Sequence, residues 1–258
     1  MKKIFFALAI LLIAGIVSSC SKSDSEMDVP VSPDGKSGST ARLVIKSDYL
    51  YAVDNTSLKV INIADPTNPT YVRTVDIGFG IETIYTFKDY LFIGSSFGMY
   101  VYSLNDPSTP TRLSQFQHAT ACDPVIANDT LAFFTLRNNE VCSRWVDTRE
   151  IDVVDIKSIT NPYLRMVYQT DDYPYGLDMY NNYLFVCHGD AGLVVYDINK
   201  MLNGNNAKVS SITGTDFNAY DAIIYQNRLF VVGENGFYQY DFSNIQNISL
   251  ISSILKTQ

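Results

Sequence analysis

The chain has 258 residues, 47% hydrophobic and 18% charged, a composition that fits a folded chain with a sizeable core and not a disordered tail. Its net charge of −8, from 19 Lys and Arg against 27 Asp and Glu, speaks against a phosphate-binding surface and so against nucleic acid as a partner. The 2 histidines cannot build a three-histidine zinc site, and neither HExxH nor CxxC occurs.

In chain order, Met1-Lys2-Lys3 precedes an uncharged apolar run from Ile4 to Val17, followed by Ser18-Ser19-Cys20. The run is too short to span a bilayer, and the leading lysines fit the basic start of a signal peptide covering residues 1–19. Val17-Ser18-Ser19-Cys20 resembles a bacterial lipobox, which implies that Cys20 becomes the lipidated first residue and that the partner at this end is a membrane, held through acyl chains. Residues 20–38, rich in Ser, Pro, Gly and Asp without periodicity, read as a tether reaching about 20–25 Å. Asp24, Glu26 and Asp28 resemble the acidic export signal of Bacteroidetes surface lipoproteins, but Ser25 and Met27 interrupt the run. Outer-membrane anchoring is therefore expected, with surface and periplasmic display both open.

From residue 39 onward the chain repeats. Unit one reads as strands Ala41–Lys46, Tyr49–Tyr51, Leu58–Ile63 and Tyr71–Val75, with an Asp65-to-Pro69 turn before the last. Unit two has Ile81–Tyr85, Tyr90–Phe92, Met99–Leu104 and Leu113–Phe116; unit three has Cys122–Ala127, Thr130–Ala132, Ile151–Ile156 and Leu164–Tyr168. Unit four has Leu177–Tyr180, Tyr183–Phe185, Leu193–Ile198 and Val209–Ile212; unit five has Tyr220–Tyr225, Arg228–Phe230, Phe237–Phe242 and Ile248–Leu255. Leu50, Leu91, Leu131, Leu184 and Leu229 mark the register, 41, 40, 53 and 45 residues apart. Four short strands per unit without helical periodicity predict an all-β fold, a five-bladed β-propeller over residues 39–258 with four antiparallel strands per blade. In this frame no blade mixes strands from the two chain ends, so the ring is expected to close by face packing alone.

Leu193-Val-Val-Tyr-Asp-Ile198, and Leu58-Lys-Val-Ile-Asn-Ile63 with its Asp-Pro-x-x-Pro turn, resemble the LVIVD repeat family of bacterial surface proteins. The resemblance runs over about residues 39–255 and fades in unit five, where Ser243-Asn-Ile-Gln-Asn247 replaces the Pro turn. It implies a propeller at the cell surface and brings no catalytic signature.

Propeller topology gathers the variable loops on one face, the top, and short turns on the other. Near the starts of four inner strands stand Glu82, Asp123, Asp178 and Asp221. Four acids around a channel mouth could hold Ca²⁺ or act as acid and base on a glycosidic bond. Their recurrence from blade to blade favours architecture, with the oxygens accepting backbone N–H groups, because buried carboxylates need partners. The insertion in unit three, Arg137 to Arg149, holds Trp145, Arg144 and Cys142; an indole beside arginines has the composition of a binding hot spot. Phe79, Phe97, Tyr173, Tyr175 and Phe217, outside the repeat pattern, are expected to join Trp145 in an aromatic rim, with Arg149 of the insertion a further candidate binding residue.

Other signals carry less. Gly94-Ser-Ser-Phe-Gly98 matches G-x-S-x-G but occupies a hairpin position, not a strand–turn–helix. His118 and His188 belong to different blades and suit hydrogen bonding. Cys122, Cys142 and Cys187 leave both a Cys122–Cys142 bridge and buried free thiols open. The expected function is a non-catalytic, membrane-anchored binding propeller for a glycan, a peptide or an envelope protein, without a cofactor. The alternative is a glycoside hydrolase or lyase using the inner-strand carboxylates. Because acid and base need separated pKa values, the apparent equivalence of the acids counts against catalysis.

Overall fold

The computed structural model describes residues 37–117, 124–137, 147–214 and 217–256. They form five four-stranded antiparallel sheets arranged as the blades of a β-propeller. Blade one comprises β1 (Leu43–Lys46), β2 (Tyr49–Val53), β3 (Ser57–Asn62) and β4 (Thr70–Asp76). Blade two comprises β5 (Ile81–Phe87), β6 (Tyr90–Ser95), β7 (Gly98–Ser103) and β8 (Thr111–Gln117). Blade three comprises β9 (Val125–Ala127), β10 (Leu131–Arg137), β11 (Arg149–Asp155) and β12 (Tyr163–Gln169). Blade four comprises β13 (Leu177–Tyr180), β14 (Tyr183–Cys187), β15 (Leu193–Asp197) and β16 (Lys208–Ile212), with a helical turn α1 (Ile198–Leu202) between the last two. Blade five comprises β17 (Ala219–Tyr225), β18 (Arg228–Gly233), β19 (Gly236–Asp241) and β20 (Ser249–Leu255). The first strand of each blade is innermost.

The middle strands of blades two to four are buried on both faces, which is why sequences such as Leu131-Ala-Phe-Phe-Thr-Leu136 are nearly continuous apolar runs. The outer strands instead mix exposed polar and apolar residues. Ser47, Lys88, Asn181 and Gln226 adopt positive φ in the tight turns that lead from inner to second strands. Gly98 opens β7 at φ +139° and Gly192 directly precedes β15 at φ +87°, and a Cβ there would overlap the carbonyl oxygen of Phe116 or Ile212 in the outer strand. Only glycine fits that approach. The helical turn α1 is a departure from the all-strand expectation. Asp197 starts it by accepting from the Lys200 N–H at 3.1 Å, a local cap in place of the Pro turn.

Blade three departs from the leucine register. Leu131 pairs with Asp155 in the way that Tyr90 pairs with Ser103 and Tyr183 with Asp197, so Ala132 takes the place of Leu91 and Leu184. The Asn128 N–H donates to the Leu131 carbonyl at 2.8 Å, so the turn is Asp129-Thr130, two residues like Lys88-Asp89, and it is the leucine that stands one place earlier in its strand, on the other face. Asn128 Oδ1 accepts from the N–H groups of Thr130 and Leu131 and fixes this turn.

With that offset, one aromatic on the second strand of each blade points at the next blade: Tyr51, Phe92, Phe133, Phe185 and Phe230. The first four are fully buried, each within the apolar cluster that joins its blade to the next. Among the described residues no such cluster joins blade five to blade one. Phe230 is half-buried and stacks on Phe237 of its own blade at 5.7 Å. Around it Val232 is 47% exposed, and on the facing side of blade one Leu43 is 55% exposed. The fifth junction is thus an open seam, where face packing does not close the ring.

Polar bonds bridge the seam instead. Thr40 Oγ1 donates to Asp221 Oδ2 at 2.6 Å, and Ser39 Oγ donates to Asp221 Oδ1 at 3.2 Å. Ser39 Oγ also accepts from the Leu177 N–H of blade four at 2.8 Å. Residues 38–40 therefore stitch the start of blade one to blades four and five, a correction to closure by face packing alone.

Candidate functional site

The inner-strand acids do not form a level ring. Asp178 stands opposite Phe185, whereas Asp221 stands opposite Val232, two residues nearer the top. Glu82 lies one step higher still, in a bulge between Ile81 and Thr83. Both aspartates point toward the following blade. Asp178 Oδ2 accepts from the Ile224 N–H of blade five at 2.7 Å, and its Oδ1 from the Met179 N–H at 2.8 Å. Asp221 repeats the device with Ala222 N–H and the residue 39–40 donors. In blade one the Ala41 carbonyl does the same work, accepting from Ile84 N–H at 2.9 Å. These oxygens connect consecutive blades. Among the described residues no group of three or more His, Cys, Asp or Glu side chains is gathered for a metal ion.

Two groups of side chains line the top. The first lies over blades one and two, where Thr40, Arg42, Asn55, Phe79, Gly80, Ile81 and Glu82 surround a depression of about 380 Å³. Phe79 is 73% exposed and Phe97 44%, so both rings present apolar surface to solvent. The Arg42 guanidinium is fixed from below by Asn55 Oδ1 at 2.9 Å and the Ile81 carbonyl at 2.8 Å. Aromatic platform, guanidinium and carboxylate thus share one shallow site.

The second group spans blades three and four. Arg149 makes a two-pronged contact with Asp147 at 3.1 and 2.9 Å, donates to the Asp171 carbonyl, and lies 4.4 Å above the Tyr173 ring. The Tyr173 hydroxyl donates to Asp147 Oδ1 at 2.7 Å, and this bond with the Arg149 contact holds the Asp147 carboxyl below its usual range. Arg137 covers the Tyr175 ring at 4.3 Å and donates to the Pro174 carbonyl. Tyr173 and Tyr175 are therefore rim residues whose faces carry guanidinium groups. Sequence pattern flagged the tyrosines and Arg149, but the Asp147 and Arg137 partnerships have no signature in spacing.

Phe217 does not belong to this rim. It is buried, edge-on to Tyr238 at 5.0 Å and Tyr240 at 5.9 Å, as core between blades four and five. Cys187 is a buried free thiol in the same cluster, its pKa raised by burial. Ser95 and Ser96 lie at the hairpin between β6 and β7, with Ser95 Oγ donating to the Gly98 carbonyl. Cys20, His118, Cys122, Asp123, Cys142, Arg144 and Trp145 lie outside the described residues.

His188 is a buried support for the rim. Its Nδ1–H donates to the Asp172 carbonyl at 3.1 Å, leaving Nε2 to accept from the Tyr196 hydroxyl at 3.1 Å. Burial lowers its pKa below the usual 6.5, a shift the Asp172 carbonyl only partly offsets. Unfolded chains take up the proton first as pH falls through 6.5, so this histidine withdraws stability from there down to its lower folded value. His188→Gln is expected to give a shallower fall of Tm between about pH 8 and pH 5 than the parent chain, measured by thermal unfolding across that range. An unchanged slope would remove His188 from the account.

No family model and no curated protein matches the chain. Solved structures do resemble it. A functionally unknown protein from Desulfotomaculum acetoxidans DSM 771 aligns at TM-score 0.65 and 10% identity, over 86% of this chain and 71% of that one. The periplasmic gluconolactonase of Pseudomonas aeruginosa aligns at TM-score 0.61 and 11% identity, over 81% and 68%. The computationally designed Ika8 protein aligns at TM-score 0.58 and 13% identity; the match takes in 82% of this chain but spans only 60% of that one. At such identities the shared property is the fold, a β-propeller.

Proposed function

We propose that this chain is a membrane-anchored, non-catalytic binding propeller of LVIVD-repeat type on the bacterial cell envelope, and that its top face holds a glycan. The observation that carries this reading is the depression beneath Phe79, where an exposed ring stands beside Arg42, Asn55 and Glu82. A pyranose presents an apolar face to a ring and hydroxyls at its edge, and this site offers a partner for each. The rim of Arg149, Asp147 and Tyr173 would meet a longer chain of sugars, a peptide or an envelope protein. The rival reading, a glycoside hydrolase or lyase, needs two carboxyl groups facing one bond. Asp178 and Asp221 instead have their oxygens engaged by donors of their own strand and of the next blade, which favours binding.

The test is a glycan array followed by titration of any hit against Phe79→Ala. Affinity is expected to fall by about tenfold or more, as for an anchor ring, with Tm within about 1 °C because the side chain is exposed. Full retention of binding would move the site elsewhere. The anchor is tested separately: Cys20→Ala is expected to shift the chain from the membrane to the soluble fraction, and membrane retention would rule out lipidation as the tether.

A further inference from the structure

The outer strands of the blades are edges, and an edge offers unpaired N–H and C=O groups to any strand that fits. Four of the five carry charge that discourages such pairing: Arg73 and Asp76 on β4, Arg112 on β8, Arg165 on β12, Lys208 on β16. The fifth, β20, reads Ser-Leu-Ile-Ser-Ser-Ile-Leu. It has no charge and no proline, and all its residues are exposed, with Ile254 at 72%, Leu255 at 61%, Leu250 at 55% and Ile251 at 46%. Its length and β-branched content match those of a paired strand. The adjoining face of blade five, with Phe230, Val232 and Phe237, is the one left open at the seam.

We infer that β20 pairs with β20 of a second copy of this chain, antiparallel across a twofold axis perpendicular to the sheet, joining two blades into one eight-stranded sheet. A symmetric contact sets each residue against residues of the same patch, which serine, leucine and isoleucine tolerate and like charges do not. For a chain of charge −8, approach of two copies is opposed except where the surface is neutral, and β20 provides that neutral edge. A charged partner would instead find its complement on the other four edges. That twofold requires the antiparallel direction, in which the ladder hydrogen bonds run perpendicular to the strands.

Sedimentation velocity of the full chain over a concentration series tests the pairing, with Ile254→Lys as the disrupting variant and Val167→Lys, on the β12 edge, as the control. A discrete dimer is expected, with its dissociation constant raised by about tenfold or more in Ile254→Lys, since two lysines then face one edge, and unchanged in Val167→Lys. Circular dichroism and Tm of both variants should match the parent, because both positions are exposed. A monomer at every concentration overturns the inference. So does a dimer insensitive to Ile254→Lys, or a β20 edge engaged only by a different protein.

Discussion

Asp221→Ala is expected to lower the unfolding free energy by about 2–3 kcal/mol, because a partly buried, charge-assisted acceptor is removed while its donors stay. The donors are the Ala222 N–H of the same strand and the Ser39 and Thr40 hydroxyls, and the two hydroxyls hold the seam across which no apolar cluster forms among the described residues. Urea unfolding gives the loss. Hydrogen exchange should place it at Thr40 and at Leu177, whose N–H donates to Ser39 Oγ. Asp221→Asn, which keeps one carbonyl acceptor, should lose about half as much. Burial raises the Asp221 pKa above its usual 3.8, despite the opposing hydrogen bonds from Thr40, Ala222 and Ser39. Folding therefore favours the protonated form between 3.8 and the folded value, and this residue adds stability as pH falls through that window, the reverse of His188. If Asp221→Ala were as stable as the parent chain, the seam would be held by something other than these bonds.

Phe185→Ala is expected to cost more, about 3–5 kcal/mol, whereas Phe230→Ala at the equivalent position of blade five should cost less than half of that. Phe185 is fully buried and sits edge-on to Phe242 at 5.4 Å, so its removal leaves a cavity between two rigid blades. Phe230 has solvent on the side where the other four rings have a neighbouring blade. Thermal unfolding of the pair measures the contrast directly, with a drop on the order of 10 °C for Phe185→Ala. Equal losses would mean that blade one covers Phe230 in solution and that the seam is closed.

The blade pattern was legible because a blade is local: strand, turn, strand, each with its own alternation and turn chemistry. Units one, two and five have the expected strands with ends displaced by at most three residues, as in β1, which starts at Leu43 instead of Ala41, and β6, which ends at Ser95 instead of Phe92. The offset of blade three escaped because Leu131 stands one place earlier than the other marker leucines, in an apolar run that reads equally well in either register. Asp178 and Asp221 were legible as repeated acids, but not their different depths, since depth depends on where each strand bulges. Phe217 was misplaced at the rim because it lies in a loop by sequence, and loop position says nothing of which way a ring turns. The closure by Ser39 and Thr40 was illegible for a simpler reason. It joins residues 181 and 182 positions apart, beyond the reach of any pattern in the chain.

That same closure sets how the molecule would bear load. A pull on the chain ahead of Ser37 reaches Ser39 and Thr40 before it reaches β1, and from there it passes to Asp221 on the far side of the seam and to Leu177 beyond it. Tension at that end is thus divided among three blades, and the first strand is not peeled from its sheet one ladder bond at a time.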